Sequence, residues 1–158
     1  MNRRIMGVLV AFVATMLLAA CSGPAQSGEL EPARDLASDS EKGAPIIVIF
    51  VGHPCPYCEY VEERHLVPMQ RRVDAGEEDK VVIRVVEISD DRTLIDFSGE
   101  EITVSSFVER HNGRFTPTLL FFGPDGEQHA EPLVGVSSED YYGGYLEDRL
   151  AQVRETLH

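Results

Sequence analysis

Hydrophobic residues along this chain fall into segments of two kinds, continuous runs and helically spaced stripes. Residues 45–51, Pro45-Ile46-Ile47-Val48-Ile49-Phe50-Val51, form an unbroken apolar run between Gly43 and Gly52-His53-Pro54. A short run bounded by turn residues predicts a strand buried on both faces. Over residues 55–73 the apolar positions Tyr57, Val61, Leu66, Met69 and Val73 recur at helical spacing, and Pro68 should kink or end that helix. Residues 74–80 read as a charged turn, 81–88 as a second strand and 89–99 as a loop. Residues 102–111 read as a short helix stopped by Asn112-Gly113. A strand over 116–122 opens on a proline. Gly123-Pro124-Asp125-Gly126 then turns the chain into a hairpin that ends near Leu133-Val134-Gly135. The last element is a helix over 138–157. Tyr142, Leu146, Leu150, Val153 and Leu157 share one face, Ser137 with Asp140 suggests a capping box, and Gly143-Gly144 weaken the first turns. The order of strands and helices predicts an α/β sandwich with a mixed sheet.

The N-terminus follows other rules. Asn2-Arg3-Arg4 is a charged start, and residues 5–18 are apolar but too short and wrongly flanked for a membrane-spanning helix. Residues 1–20 therefore read as a signal peptide. They end in Leu18-Ala19-Ala20-Cys21, which resembles the bacterial lipobox. That resemblance implies cleavage before Cys21, lipidation of Cys21, and export to the periplasm-facing side of a bacterial cell envelope. Ser22 rather than an acid follows the lipid-bearing residue, which by the same resemblance favours the outer membrane. Residues 21–43, rich in Ser, Gly, Pro, Ala and acids, read as a flexible tether. Residues 44–158, about 115 of them, suffice for one core.

Charge narrows the partners. The formal net charge is −13, and removal of Arg3 and Arg4 would leave −15. Such acidity argues against nucleic-acid binding and against docking on anionic lipid, so membrane attachment should run through the lipid anchor alone, on a monomer. Three cysteines are too few for a disulfide-stapled miniature scaffold.

The chemistry sits at Cys55-Pro56-Tyr57-Cys58, between the first strand and the first helix. Two thiols at this spacing on a helix start can open and close a disulfide with little backbone movement. The positive end of the helix favours the first sulfur as thiolate, making Cys55 the expected nucleophile and Cys58 the resolving thiol. Glu59, Glu62 and Glu63 on the same helix should push thiol pKa values up, and Tyr57 offers no charge to oppose them. A middling potential, and hence a reductase or isomerase rather than a primary oxidant, is the expectation.

The element order, with this motif, resembles the thioredoxin superfamily over residues 45–157. The resemblance implies a three-layer α/β/α sandwich with a mixed central sheet. Thr116-Pro117-Thr118 is similar to the family's cis-proline segment, Gly123–Gly126 to its last hairpin, and residues 133–137 to the lead-in of its terminal helix. It implies a cis Pro117 against the cysteine pair and Thr116 offering its backbone to an extended substrate. The stretch before the proline resembles the sulfur-oxidation-associated periplasmic thioredoxin type. Two positions depart from the family. Ile49 stands six residues before Cys55, where thioredoxin has a buried acid, and Pro54 stands where it has tryptophan. Proton handling would fall to water, Glu59 or His53; His53 is also a candidate to steady the Cys55 thiolate, or a plain loop residue.

The expected function is thus an exported thiol–disulfide oxidoreductase that needs no cofactor. Its partners would be cysteine-containing envelope proteins and an upstream redox protein. Two alternatives stand beside it: a copper-binding or metallochaperone lipoprotein using His53, Cys55 and Cys58, and an inert structural disulfide.

Overall fold

A computed structural model describes residues 30–157. The signal peptide, Cys21 and the first part of the expected tether lie outside the described residues.

The apolar run forms β1 (Ile46–Val51), and every residue in it is buried. It can be buried on both faces because it lies inside the sheet. β2 (Val82–Glu87) pairs with it in parallel, and β5 (Thr118–Phe122) pairs with it antiparallel on the other side. β6 (Gln128–Val134) closes the order β2-β1-β5-β6, joined to β5 by the expected hairpin. Gly126, at φ 77°, donates its N–H to Gly123 O at 3.0 Å in that turn. The left-handed backbone there is why glycine stands at this position.

Alternation along β1 divides the core into two layers. Ile47, Ile49 and Val51 pack with Val61, Leu66 and Met69, and with Tyr142, Leu146, Leu150 and Val153 of α5 (Glu139–Glu155). Ile46, Val48 and Phe50 face the opposite layer, with Leu36 of α1 (Leu36–Ser40) and with Val104, Phe107 and Val108 of α4 (Val104–Arg110). Helices on both faces of a mixed sheet make the expected α/β/α sandwich. Among the described residues, no helix is long and apolar enough to cross a membrane.

The expected tether differs most from the structure. Residues 30–43 are part of the domain. Ala33 N donates to Val85 O at 2.8 Å and Val85 N to Glu31 O at 2.9 Å, so this segment covers the outer edge of β2. Leu36 is wholly buried, and Asp39, only 3 % exposed, accepts from Arg84 Nε at 2.8 Å and Nη2 at 2.6 Å. Residues 30–43 therefore belong to the domain rather than to a tether that ends at Gly43. The three apolar anchors Leu30, Ala33 and Leu36 are sparse in a polar stretch, and the partner of Asp39 lies 45 residues away. Neither leaves a periodic signal.

Four smaller expectations change. Pro68 does not end its helix: α2 (Pro56–Val61) widens into a π-helical turn (Glu62–Leu66) and runs on as α3 (Val67–Asp74). Proline lacks an N–H and crowds the carbonyl four residues back, and a widened turn relieves both. Tyr57, expected in the buried stripe, is 54 % exposed. The segment 89–99 holds β3 (Thr93–Ile95), paired antiparallel with β4 (Glu101–Thr103), each too short to show a period. Asp96 ties their turn, accepting from Ser98 N, Ser98 Oγ, Glu100 N and Arg110 Nη1. The capping box at Ser137 is absent, because Ser138 is the N-cap and makes no side-chain capping bond. The expected stop of α4 is present: Asn112 takes φ 53°, and a Cβ on Gly113 would lie 2.6 Å from the Phe50 ring.

Candidate active site

β1 delivers the chain into Gly52-His53-Pro54 and then into the first turn of α2, where Cys55 is the N-cap. Its Sγ accepts from Cys58 N at 3.2 Å, and its carbonyl accepts from Cys58 N at 3.0 Å and Glu59 N at 3.2 Å. The cap fixes both cysteines on one turn, Cα atoms 5.2 Å apart, and they are joined as a disulfide. Pro56 suits the first helical position, since the N–H it lacks would have had no helical partner. Cys55 is 9 % exposed and Cys58 2 %.

The sheet register places the other expected site residues. Phe50 opposes Thr118, so continuation of the pairing brings Thr116 beside Gly52. A Cβ on Gly52 would lie 3.4 Å from Thr116 Oγ1. Thr116–Pro117 is cis, and Pro117 O accepts from Gly135 N at 2.8 Å. Neither backbone group of Thr116 takes part in a backbone hydrogen bond among the described residues. The exposed side chains Phe115 and Val134 flank this segment, and Tyr57 is exposed within the cysteine motif. A cleft of about 260 Å³ between Ile88, Ser105, Val108, Glu109 and Arg114 adjoins it, because Ile88 Cδ1 would also lie 3.7 Å from a Gly52 Cβ.

His53 lies against the end of β2. Its bond to Pro54 is also cis. Its exposed ring sets Nε2 3.1 Å from Glu87 Oε2. Glu87 closes β2 opposite Val51, and its Oε1 accepts from Ser89 Oγ at 2.8 Å. Among the described residues no group of three His, Cys, Asp or Glu side chains is placed to hold a metal ion.

Ile49 is wholly buried, so the position six residues before Cys55 holds an apolar side chain. Glu62, one turn past Cys58, is the acid whose environment stands out. Burial pushes its carboxyl above the usual range, His53 pulls it back, and the charges of Glu59, Glu87 and Glu63 push it up further. In the sequence Glu62 is only one of three acids on the helix. Its spacing of four from Cys58 is the available signal. The part played by Glu87 is not legible there, since only the parallel register brings the end of β2 to this loop.

A four-stranded mixed sheet between two helical layers, with a disulfide capping the helix that follows β1, defines a dithiol/disulfide protein of the thioredoxin fold. The sequence profile of the family described as a thioredoxin-like domain matches residues 33–150, and the chain belongs to that family. Reduced Schistosoma mansoni thioredoxin pre-protein is similar in structure, with TM-score 0.50 and 18 % identity, over 79 % of this chain and 98 % of that one. A mutant thioredoxin from Halobacterium salinarum gives TM-score 0.49 and 19 % identity over 81 % and 96 %. A thioredoxin-fold protein from Helicobacter pylori gives 0.47 and 15 % over 73 % and 83 %. No curated protein matches the sequence.

Proposed function

We propose that this protein is an exported thiol–disulfide oxidoreductase that reduces or isomerises disulfides in envelope proteins. The observation that carries the reading is the disulfide on the capping turn of α2 inside a thioredoxin-like domain. Cys55 is the nucleophile and Cys58 the resolving thiol, in keeping with the greater exposure of Cys55. An extended substrate segment pairs with Thr116 beside Pro117, while its sulfur meets Cys55. Tyr57, Phe115 and Val134 supply exposed apolar surface for the flanking residues. Carboxylates around the motif and the lack of a cation in Pro56-Tyr57 favour electron donation over primary oxidation. The N-terminal sequence supports lipidation of Cys21 and attachment to the envelope.

The test is disulfide exchange by the reduced protein on insulin and on envelope extracts. The wild type should reduce insulin, Cys55→Ser should not, and Cys58→Ala should accumulate mixed disulfides with cysteine-containing envelope proteins. An inactive wild type, or Cys55→Ser with undiminished activity, would reject the reading. Cys21→Ser should leave the exchange intact and release the protein from membranes; a wild type recovered wholly in the soluble fraction would reject the anchor.

A further inference from the structure

Resolution of a mixed disulfide requires Cys58 to lose a proton while shielded from solvent. At 2 % exposure it has little access to bulk water, and Ile49 leaves no acid beneath the strand to receive that proton. On a helix, side chains lean toward the N-terminus and cover the residue four positions earlier. Glu62 stands four positions after Cys58 on the same side of the helix, and its N–H donates to Cys58 O.

We propose that Glu62 is the proton acceptor for Cys58. The proposal rests on the oxidoreductase reading and names a residue of that same site. Cys55 thiolate first attacks a substrate disulfide, forming the Cys55–substrate bond and expelling one substrate thiolate. The Cys58 thiol then gives its proton to the Glu62 carboxylate as its sulfur attacks Cys55 Sγ. The Cys55–substrate bond breaks, and the second substrate sulfur leaves with the electron pair. It takes its proton from the newly formed Glu62 acid or from solvent. The substrate disulfide gains two electrons and the cysteine pair loses two.

The groups around Glu62 suit that task. From the loop, His53 brings a ring that adds positive charge when protonated. From the end of β2 comes Glu87, and from its own helix Glu59 and Glu63. Burial and the three carboxylates bring its affinity for a proton nearer to that of a thiol, and His53 keeps it from going uncharged too early. Glu59 and Glu63 are exposed, whereas Glu62 is half-buried.

The experiment follows both thiols of the fully reduced protein against an aromatic disulfide that releases a coloured thiolate. The first phase reports Cys55 and the second reports Cys58. Glu62→Gln should slow the second phase about tenfold or more relative to the first near neutral pH, the scale of a lost general base. The gap should close in alkaline solution, where Cys58 ionises unaided. Glu62→Asp should restore part of the rate. His53→Ala should move the midpoint of the second phase to higher pH, since a cation that lowers the Glu62 pKa is gone. A second phase identical in wild type and Glu62→Gln at every pH would overturn the role of Glu62 and leave the oxidoreductase reading standing. So would equal slowing in Glu63→Gln, which would trace the effect to helix charge in general. A wild type with no second phase would instead overturn the oxidoreductase reading.

Discussion

Replacing Asp39 with alanine tests whether residues 30–43 belong to the domain. Asp39 accepts from Arg84 Nε at 2.8 Å and Nη2 at 2.6 Å, and Lys42 Nζ lies 2.7 Å from its Oδ1. Without it, the guanidinium of Arg84, a residue only 9 % exposed, keeps Ile83 O at 2.9 Å and the exposed Glu31 carboxylate at 3.0 Å. An exposed ion pair contributes about 0–1 kcal/mol, so Glu31 offsets little. Breaking a buried pair from one side costs about 3–5 kcal/mol, because the remaining charge stays desolvated. The surviving partners place Asp39→Ala near the lower end, about 3 kcal/mol. For a domain of this size that is a fall in Tm of roughly 10 °C. Urea denaturation should show the midpoint falling with the slope unchanged. Adding Arg84→Met to Asp39→Ala should recover most of the loss, since no buried charge then remains. A chain begun at Ala44 should be less stable still, having lost Leu36 as well. If Asp39→Ala changed stability by less than about 0.5 kcal/mol, the range of surface substitutions, the inclusion of this segment in the folded unit would be refuted.

Two further outcomes follow from buried groups. The Glu62 carboxyl has a folded pKa above 4.5, so the folded state holds its proton more tightly than the unfolded chain does. Its contribution is fully present below the unfolded pKa and is lost as pH rises through the folded one. Glu62→Gln should therefore gain stability relative to wild type on going from acid to neutral pH, and paired denaturation curves that stay parallel would contradict this. Tyr142 is 2 % exposed with a hydroxyl that has no hydrogen-bond partner among the described residues, and burial pushes its ionisation well above that of a free phenol. Tyr142→Phe should stabilise the domain by about 1 kcal/mol, and a measured loss would mean that the hydroxyl is satisfied in solution.

Sequence alone determined the frame and the centre of the site. The run over 45–51 reads as a strand enclosed on both faces, because it is short, rich in β-branched residues and bounded by turn residues. The stripe Tyr142, Leu146, Leu150 and Val153 can only be the buried face of a helix. Cys55 and Cys58 were legible because their chemistry depends on a spacing of three and on a helix start, both local. So was Asn112-Gly113 as a helix stop, since the left-handed residue there is a local requirement. Only the tertiary structure decided what depends on residues far apart in the chain. Asp39 is polar by its local context and buried only because Arg84 comes to meet it. Pro68 reads as a breaker, but packing of Leu66 and Met69 into the core holds the helix together through a widened turn. His53 meets Glu87 because β1 and β2 run in parallel and end side by side, which no periodicity encodes. Glu62 differs from Glu59 and Glu63 only in the side of the helix it occupies, and one side is shielded from water by the loop and the end of β2. Periodicity reports which face of an element is apolar; it carries no record of which distant charge will lie against a given polar residue.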